Sequence, residues 1–233
     1  MNRVIGMGMD MEEWTQGWLE LVKGSFGEER IICAGLQGSR ARGEAGPASD
    51  IDTVLILDRL KPEDLVVYRN ALEGIPRREL VCGFISGQEE LRCWDRGELF
   101  SFCQDTVPFL GSLDFALELT GREDVRRGTL TGACAIYHGC IHNFLHGRSI
   151  ETLAALQKSA FFTLRLLCWL RGRGFPRRRA ELLPLLDQEE RQLLERDPRD
   201  LEALSWELLN WSSQVICSLG VPEEKLVNIS NIK

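Results

Sequence analysis

The chain has 233 residues, long enough for one large domain or two smaller ones with cores of their own. Hydrophobic content of 44% and charged content of 27% are those of an ordinary soluble globular protein, and no apolar run approaches the roughly 20 residues of a membrane span. A formal net charge of -7 argues against gripping long nucleic acid, because neutralising phosphates takes a basic surface, while leaving room for a local basic patch over a small phosphorylated substrate.

In chain order, MNRVIGMGMDMEEW lacks the apolar core of an export signal. MEEWTQGWLELVKGSF places Trp14, Trp18, Leu21 and Val22 at helical spacing, with Gly24 able to end the helix. RIICAGLQG predicts a buried strand running into the turn GSRARGEAGPASDID, Gly38 to Asp52. IDTVLIL predicts a second strand, and Asp50 and Asp52, two residues apart, share a face. KPEDLVVYRNALEG predicts a helix with proline in its first turn and glycine at its end. RRELVCGFISG predicts a third strand with Glu79, Val81 and Gly83 on one face, and GELFSFCQDT a short helix broken before Pro108.

From about Gly128 the strand signals stop. TLTGACAIYHGCIHNFLHG, IETLAALQKSAFFTLRLLCWLRG, RRAELLPLLDQEERQLLER and DLEALSWELLNWSSQVICSLG each predict an amphipathic helix, three of them closed by Gly147, Gly172 and Gly220. The expected fold class is α+β, with a mixed sheet flanked by helices over residues 1–122 and an all-α bundle over residues 123–233. The cysteines at 33, 82, 93, 103, 134, 140, 168 and 217 form no CxxC pair, and several sit in apolar runs, so they read as small hydrophobes in a reducing cytoplasm.

Chemistry concentrates in the turn between the first two strands. A Gly-Ser turn leaves backbone N–H groups free for phosphate oxygens, with no Cβ on Gly38 to hold a phosphate away. Two aspartates on one strand face make a hard oxygen site suited to Mg²⁺, which keeps several waters and bridges phosphates. Phosphoryl transfer uses this pairing, with the metal neutralising charge and a nearby carboxylate accepting the proton of the attacking hydroxyl.

GSRARGEAGPASDID resembles the signature of the nucleotidyltransferase superfamily related to DNA polymerase β: Gly-Ser after an apolar residue, a spacer, then Asp-x-Asp. The spacer here runs ten residues, Arg40 to Ser49. The wording is similar to the small bacterial branch of antibiotic and minimal, antitoxin-type members, and looser likeness extends through GFISGQEELRCWDRGELFSFCQDTVPFLGSLDF. The resemblance implies a nucleotidyltransferase-type sheet and nucleotide contacts from Gly38 and Ser39. It implies metal ligation and catalysis by Asp50 and Asp52, with Mg²⁺ as a two-ion site and an NTP as co-substrate. Arg40 and Arg42 stand close enough to neutralise phosphate, or are solvated loop arginines. The family supplies a third carboxylate from a later strand; Glu79 takes that place, or is a plain strand-entry charge, since VCGF follows it without one.

Two other clusters stand out. His138, His142 and His146 fall at i, i+4 and i+8, with Cys134 a turn earlier, but the glutamate of HExxH is missing and a helix face lining a cleft, or packing, is expected over zinc. RGRGFPRRR gathers Arg171, Arg173, Arg177, Arg178 and Arg179, expected as solvated or helix C-terminal cations, with a phosphate or RNA patch as the alternative. No histidine has an arginine five residues before it, which weakens a ribonuclease reading.

The expected function is Mg²⁺-dependent transfer of a nucleoside monophosphate from an NTP to a hydroxyl of a small molecule or protein, releasing pyrophosphate, with the bundle as the acceptor or partner domain. The alternative is a catalytically weak nucleotide-binding regulatory or antitoxin-like module. No membrane and no long nucleic acid enter either reading, and no stretch specifies an oligomeric state.

Overall fold

Asp10 starts the first helix by accepting the N–H groups of Glu12 and Glu13 at 2.9 and 3.4 Å. The computed structural model describes residues 10–220, so most of the stretch read for an export signal lies outside the described residues. Helix α1 (Met11–Phe26) runs through Gly24 and stops at Gly27, whose φ is 79°. The apolar stripe explains this: Trp18, Val22 and Phe26 are all buried, and continuing it to Phe26 outweighs the propensity loss at one glycine.

Strand β1 (Ile31–Gln37) leads through the single turn α2 (Gly38–Ala41) and a loop into β2 (Ile51–Leu57). Helix α3 (Pro62–Leu72) follows with proline in its first turn, as the sequence predicts, then β3 (Val81–Gly87). Short helices α4 (Gln88–Arg92) and α5 (Arg96–Asp105) precede β4 (Val107–Gly111) and α6 (Asp114–Leu117). The sheet order is β3-β2-β1-β4, with β2 and β3 parallel and β1 antiparallel to both β2 and β4. This is the expected mixed sheet, with one strand more than the sequence reading. β4 escapes that reading because Pro108 breaks the strand signal; an edge strand tolerates proline, whose missing N–H costs no ladder bond on the open side.

Alternate residues of β2 point to opposite faces of the sheet. Ile51, Leu55 and Leu57 pack with Trp14, Trp18, Leu19 and Val22 of α1 in one core. Polar ends inside that core are satisfied: Trp18 Nε1 donates to Tyr68 Oη at 3.1 Å, which shares a 3.2 Å hydrogen bond with Thr53 Oγ1. Burial raises the Tyr68 phenol above its ordinary pKa, so it stays neutral in this network. Behind α3, Arg30 reaches Asp64 through two hydrogen bonds of 3.0 Å and Asp58 at 3.1 Å.

The second set of elements is all helical: α7 (Arg122–His142), a π-turn at Asn143–Gly147, α8 (Ile150–Leu170), α9 (Arg179–Leu182), α10 (Gln188–Glu195) and α11 (Leu201–Leu219). Ile136, Leu153, Leu164, Leu193 and Leu208 anchor one shared core. The single helix expected over RRAELLPLLDQEERQLLER is instead α9 and α10 around a 3-10 turn at Leu183–Leu185. Pro184 ends the first piece, and Asp187 starts the second by accepting Glu190 N–H at 2.9 Å. α8 is long and apolar enough to cross a membrane by length and composition, contrary to the sequence reading, yet 56% of its apolar window is buried in this core.

The chain divides into two compact units. Among the described residues, one holds residues 10–95 together with Ser101–Leu119; the other holds Arg96–Phe100 and residues 120–220.

Candidate active site

Antiparallel pairing brings Gln37, the last residue of β1, opposite Asp52 near the start of β2. The next residue, Gly38, has φ 70°, and a Cβ built there would fall inside the van der Waals radius of Asp52 Oδ2. Both facts require glycine: a side chain would be strained by the left-handed backbone and would evict the carboxylate. Gly38 and Asp52 are therefore one device, a bare backbone turn with a half-buried carboxylate against it. Asp50, exposed, sits just before β2, and Ser39 occupies the first turn after Gly38 with its carbonyl accepting Glu44 N–H at 2.8 Å.

The two loop arginines are built into the turn and are not solvated. Arg40 donates to Ser49 O at 2.6 and 3.1 Å and to Asp50 O at 3.1 Å, tying down the backbone that carries the aspartate pair. Arg42, with 9% of its side chain exposed, pairs with Glu44 at 3.1 Å and Asp105 at 3.2 Å. Arg42 thereby pins the end of α5 to the turn. Gln37 does the same from the strand, its Nε2 donating to Phe102 O at 3.0 Å and Thr106 Oγ1 at 2.7 Å. Gln37, Thr106 and Asp105 had no signal in the sequence, because the contacts that join them to the turn reach across more than sixty positions.

Glu79 is elsewhere. It lies in a one-turn 3-10 helix, Arg78–Leu80, ahead of β3, with 66% of its side chain exposed and a 2.7 Å ion pair to Arg77. A backbone hydrogen bond and the Arg77 guanidinium hold its carboxyl below the ordinary range. The face shared by Val81 and Gly83 is also the wrong one, since β3 pairs Gly83 with Thr53, and a Cβ on Gly83 would strike Thr53 Oγ1 in the α1 core. The residue paired with Asp52, on its own face, is Cys82, which is exposed. Phe84 follows on that face, edge to face with Trp94 at 5.5 Å and with Phe102 at 4.9 Å between ring centroids.

The other clusters carry no such device. His138, His142 and His146 form an exposed stripe with ring centroids 6.4 and 5.2 Å apart, and among the described residues no three His, Cys, Asp or Glu side chains are grouped to hold a metal ion. In RGRGFPRRR, Arg171 pairs with the buried Glu190 at 2.8 Å, Arg178 with Glu181 at 2.8 Å, and Arg173 and Arg179 donate to the carbonyls of Leu185 and Leu194. These arginines stitch helix ends together.

A turn of this form sits at the ends of two central strands in a four-stranded mixed sheet, and residues 20–95 around it match the family model described as a nucleotidyltransferase domain. That match supports a nucleotidyl-transfer enzyme. Among solved structures, the chain is similar to the spectinomycin adenyltransferase AAD(9) from Enterococcus faecialis, determined with ATP and spectinomycin. The TM-score is 0.54 at 13% identity, over 89% of this chain and 99% of that one. No curated protein matches the chain.

Proposed function

We propose that this protein is a Mg²⁺-dependent nucleotidyltransferase that moves a nucleoside monophosphate from an NTP to a hydroxyl acceptor and releases pyrophosphate. The observation that carries it is the Gly38–Asp52 device, placed where β1 and β2 end together. Asp50 and Asp52 fit a magnesium ion: they are hard oxygen donors, and Mg²⁺ completes its shell with water and phosphate oxygens rather than with a protein cage. Bound there, the ion supplies charge neutralisation on the phosphates. The Gly38 and Ser39 backbone meets the triphosphate, and Arg40 keeps the Ser49–Asp50 backbone from moving as charge builds up. ATP as donor and a small hydroxylated acceptor are supported by what the adenyltransferase neighbour was determined with. Residues 123–233 serve as the acceptor or partner domain, in a protein of the reducing cytoplasm whose cysteines remain thiols.

In this reading Asp50 and Asp52 are the catalytic carboxylates and Glu79, paired with Arg77 outside the strand, takes no part. A second reading, a nucleotide-binding regulatory or antitoxin-like module, is favoured by one observation: Cys82 and not a carboxylate stands beside Asp52. Pyrophosphate release separates the two. Turnover in the presence of Mg·ATP and an acceptor supports the enzyme; metal-dependent ATP binding with no release under any acceptor supports the module.

A further inference from the structure

We propose that the acceptor hydroxyl is phenolic, carried on an aromatic ring that lies against Phe84 and Trp94. This rests on the nucleotidyl-transfer reading above and names the substrate class of the same site. Two observations carry it independently.

The first is geometric. Gly38 flanks Asp52 on the β1 side and Cys82 flanks it on the β3 side. With the nucleotide phosphates on the Gly38–Ser39 turn, the β3 side receives the incoming hydroxyl. On that side Phe84 stands two residues beyond Cys82, about 8 Å from Asp52 between Cα atoms by ordinary strand spacing. Trp94, 40% exposed, meets it edge to face, and Phe102 packs against it as well. Half-exposed rings on a strand face next to a reacting carboxylate make a floor for another flat ring, which gains stacking and apolar burial there.

The second is chemical. An aliphatic hydroxyl binds its proton about as tightly as water, with a pKa near 16, and needs a positioned base. The strand that would carry one reads VCGFISG, with no carboxylate, and Cys82 at the place paired with Asp52. A phenol has a pKa of about 10, so roughly a million times more of it is ionised at a given pH. Such an acceptor reacts without a built-in base. The phenol oxygen forms a bond to the α-phosphorus, the bond from that phosphorus to the bridging oxygen breaks, and the electron pair leaves with pyrophosphate. The phenol proton passes to solvent, and nothing is oxidised or reduced.

The test is pyrophosphate release by the full chain at saturating Mg·ATP, with a series of para-substituted phenols set against cyclohexanol and spectinomycin. The expected kcat/KM for phenols is about 100-fold above that for either non-aromatic acceptor, rising with pH until the phenol is ionised. Trp94→Ala raises the phenol KM about tenfold and leaves the Mg·ATP thermal shift unchanged; this side chain is exposed enough that the variant folds where Phe84→Ala fails. Cys82→Glu, which installs a carboxylate beside Asp52, brings cyclohexanol transfer up about tenfold and flattens the pH dependence. Equal or better turnover of cyclohexanol or spectinomycin by the wild type overturns the phenol and leaves nucleotidyl transfer standing. ATP binding that needs metal, with no release under any acceptor, also overturns it and selects the regulatory module. Absence of metal-dependent ATP binding removes the underlying reading instead.

Discussion

Two turns of this chain are crowded with arginine, one in each unit, and they use it in opposite ways. In GSRARGEAGPASDID, Arg40 holds the carbonyls of Ser49 and Asp50, so its work ends on the backbone that carries the carboxylate pair. In RGRGFPRRR, the arginines end on Glu190, Glu181 and the carbonyls of Leu185 and Leu194, where the partners are consumed by helix packing. Composition alone made both turns phosphate-binding candidates. What separates them is the identity of the group each guanidinium holds and whether that group has chemistry left to do.

The comparison breaks most readily at Gly38. Gly38→Ala forces a side chain into the Asp52 carboxylate at a positive φ, so kcat/KM for nucleotidyl transfer should fall about 100-fold, with roughly 1–3 kcal/mol lost from the thermal stability of the first unit. A variant with full activity would show that Asp52 does not work against that turn. Next comes Arg40→Ala, which frees the Ser49–Asp50 backbone and should weaken Mg·ATP binding roughly tenfold, the size expected when a partner that orients ligands is lost. Unaltered affinity in a thermal-shift titration would place Arg40 with the purely structural arginines.

Arg30 sharpens the contrast, because it is an arginine of the first unit that serves stability alone. Asp64→Asn should cost roughly 2 kcal/mol, the worth of hydrogen bonds to a charged group. The Arg30 guanidinium holds the Asp64 carboxyl below its ordinary value, so its stabilisation is complete above about pH 4 and fades as pH drops through the depressed native value. The melting difference between wild type and Asp64→Asn should be full at pH 7 and shrink in strong acid, while nucleotide affinity stays the same. A difference that grows in acid would contradict the ion pair. The smallest effect belongs to Arg178→Ala, an exposed pair with Glu181 worth no more than about 0.5 kcal/mol; a loss of ATP binding there would return the second turn to the phosphate-binding class.

The legible part of the site was local. Gly-Ser after a strand and two aspartates at a spacing of two announce a bare turn and a shared face through periods the chain itself carries. The rest was set by pairing. Whether Glu79 or Cys82 faces Asp52 depends on the register of β3 against β2, a single-residue phase that Arg78–Leu80, by coiling into a 3-10 turn, moves out of the strand altogether. Gln37 looks like any strand residue until Phe102 of α5 and Thr106 just past its end come to meet its side chain. β4 was hidden by its own proline, and the break between α9 and α10 by an apolar pattern that runs across Pro184 without a gap. The helices of the second unit were legible because 3.6-residue periodicity needs no partner to be seen.

The central claim is that Asp50 and Asp52 hold the metal of a nucleotidyl-transfer site. The most direct measurement is pyrophosphate release at saturating ATP, with and without Mg²⁺, for wild type and for the double variant Asp50→Asn plus Asp52→Asn, alongside the ATP-induced melting shift. Wild type should release pyrophosphate only with metal and gain melting temperature by mass action when Mg·ATP is bound. The double variant, folded to the same baseline, should lose roughly 10²–10³-fold in release and nearly all of the shift. A double variant that keeps both would contradict the assignment of this pair, and of the turn that presents it, as the seat of the chemistry.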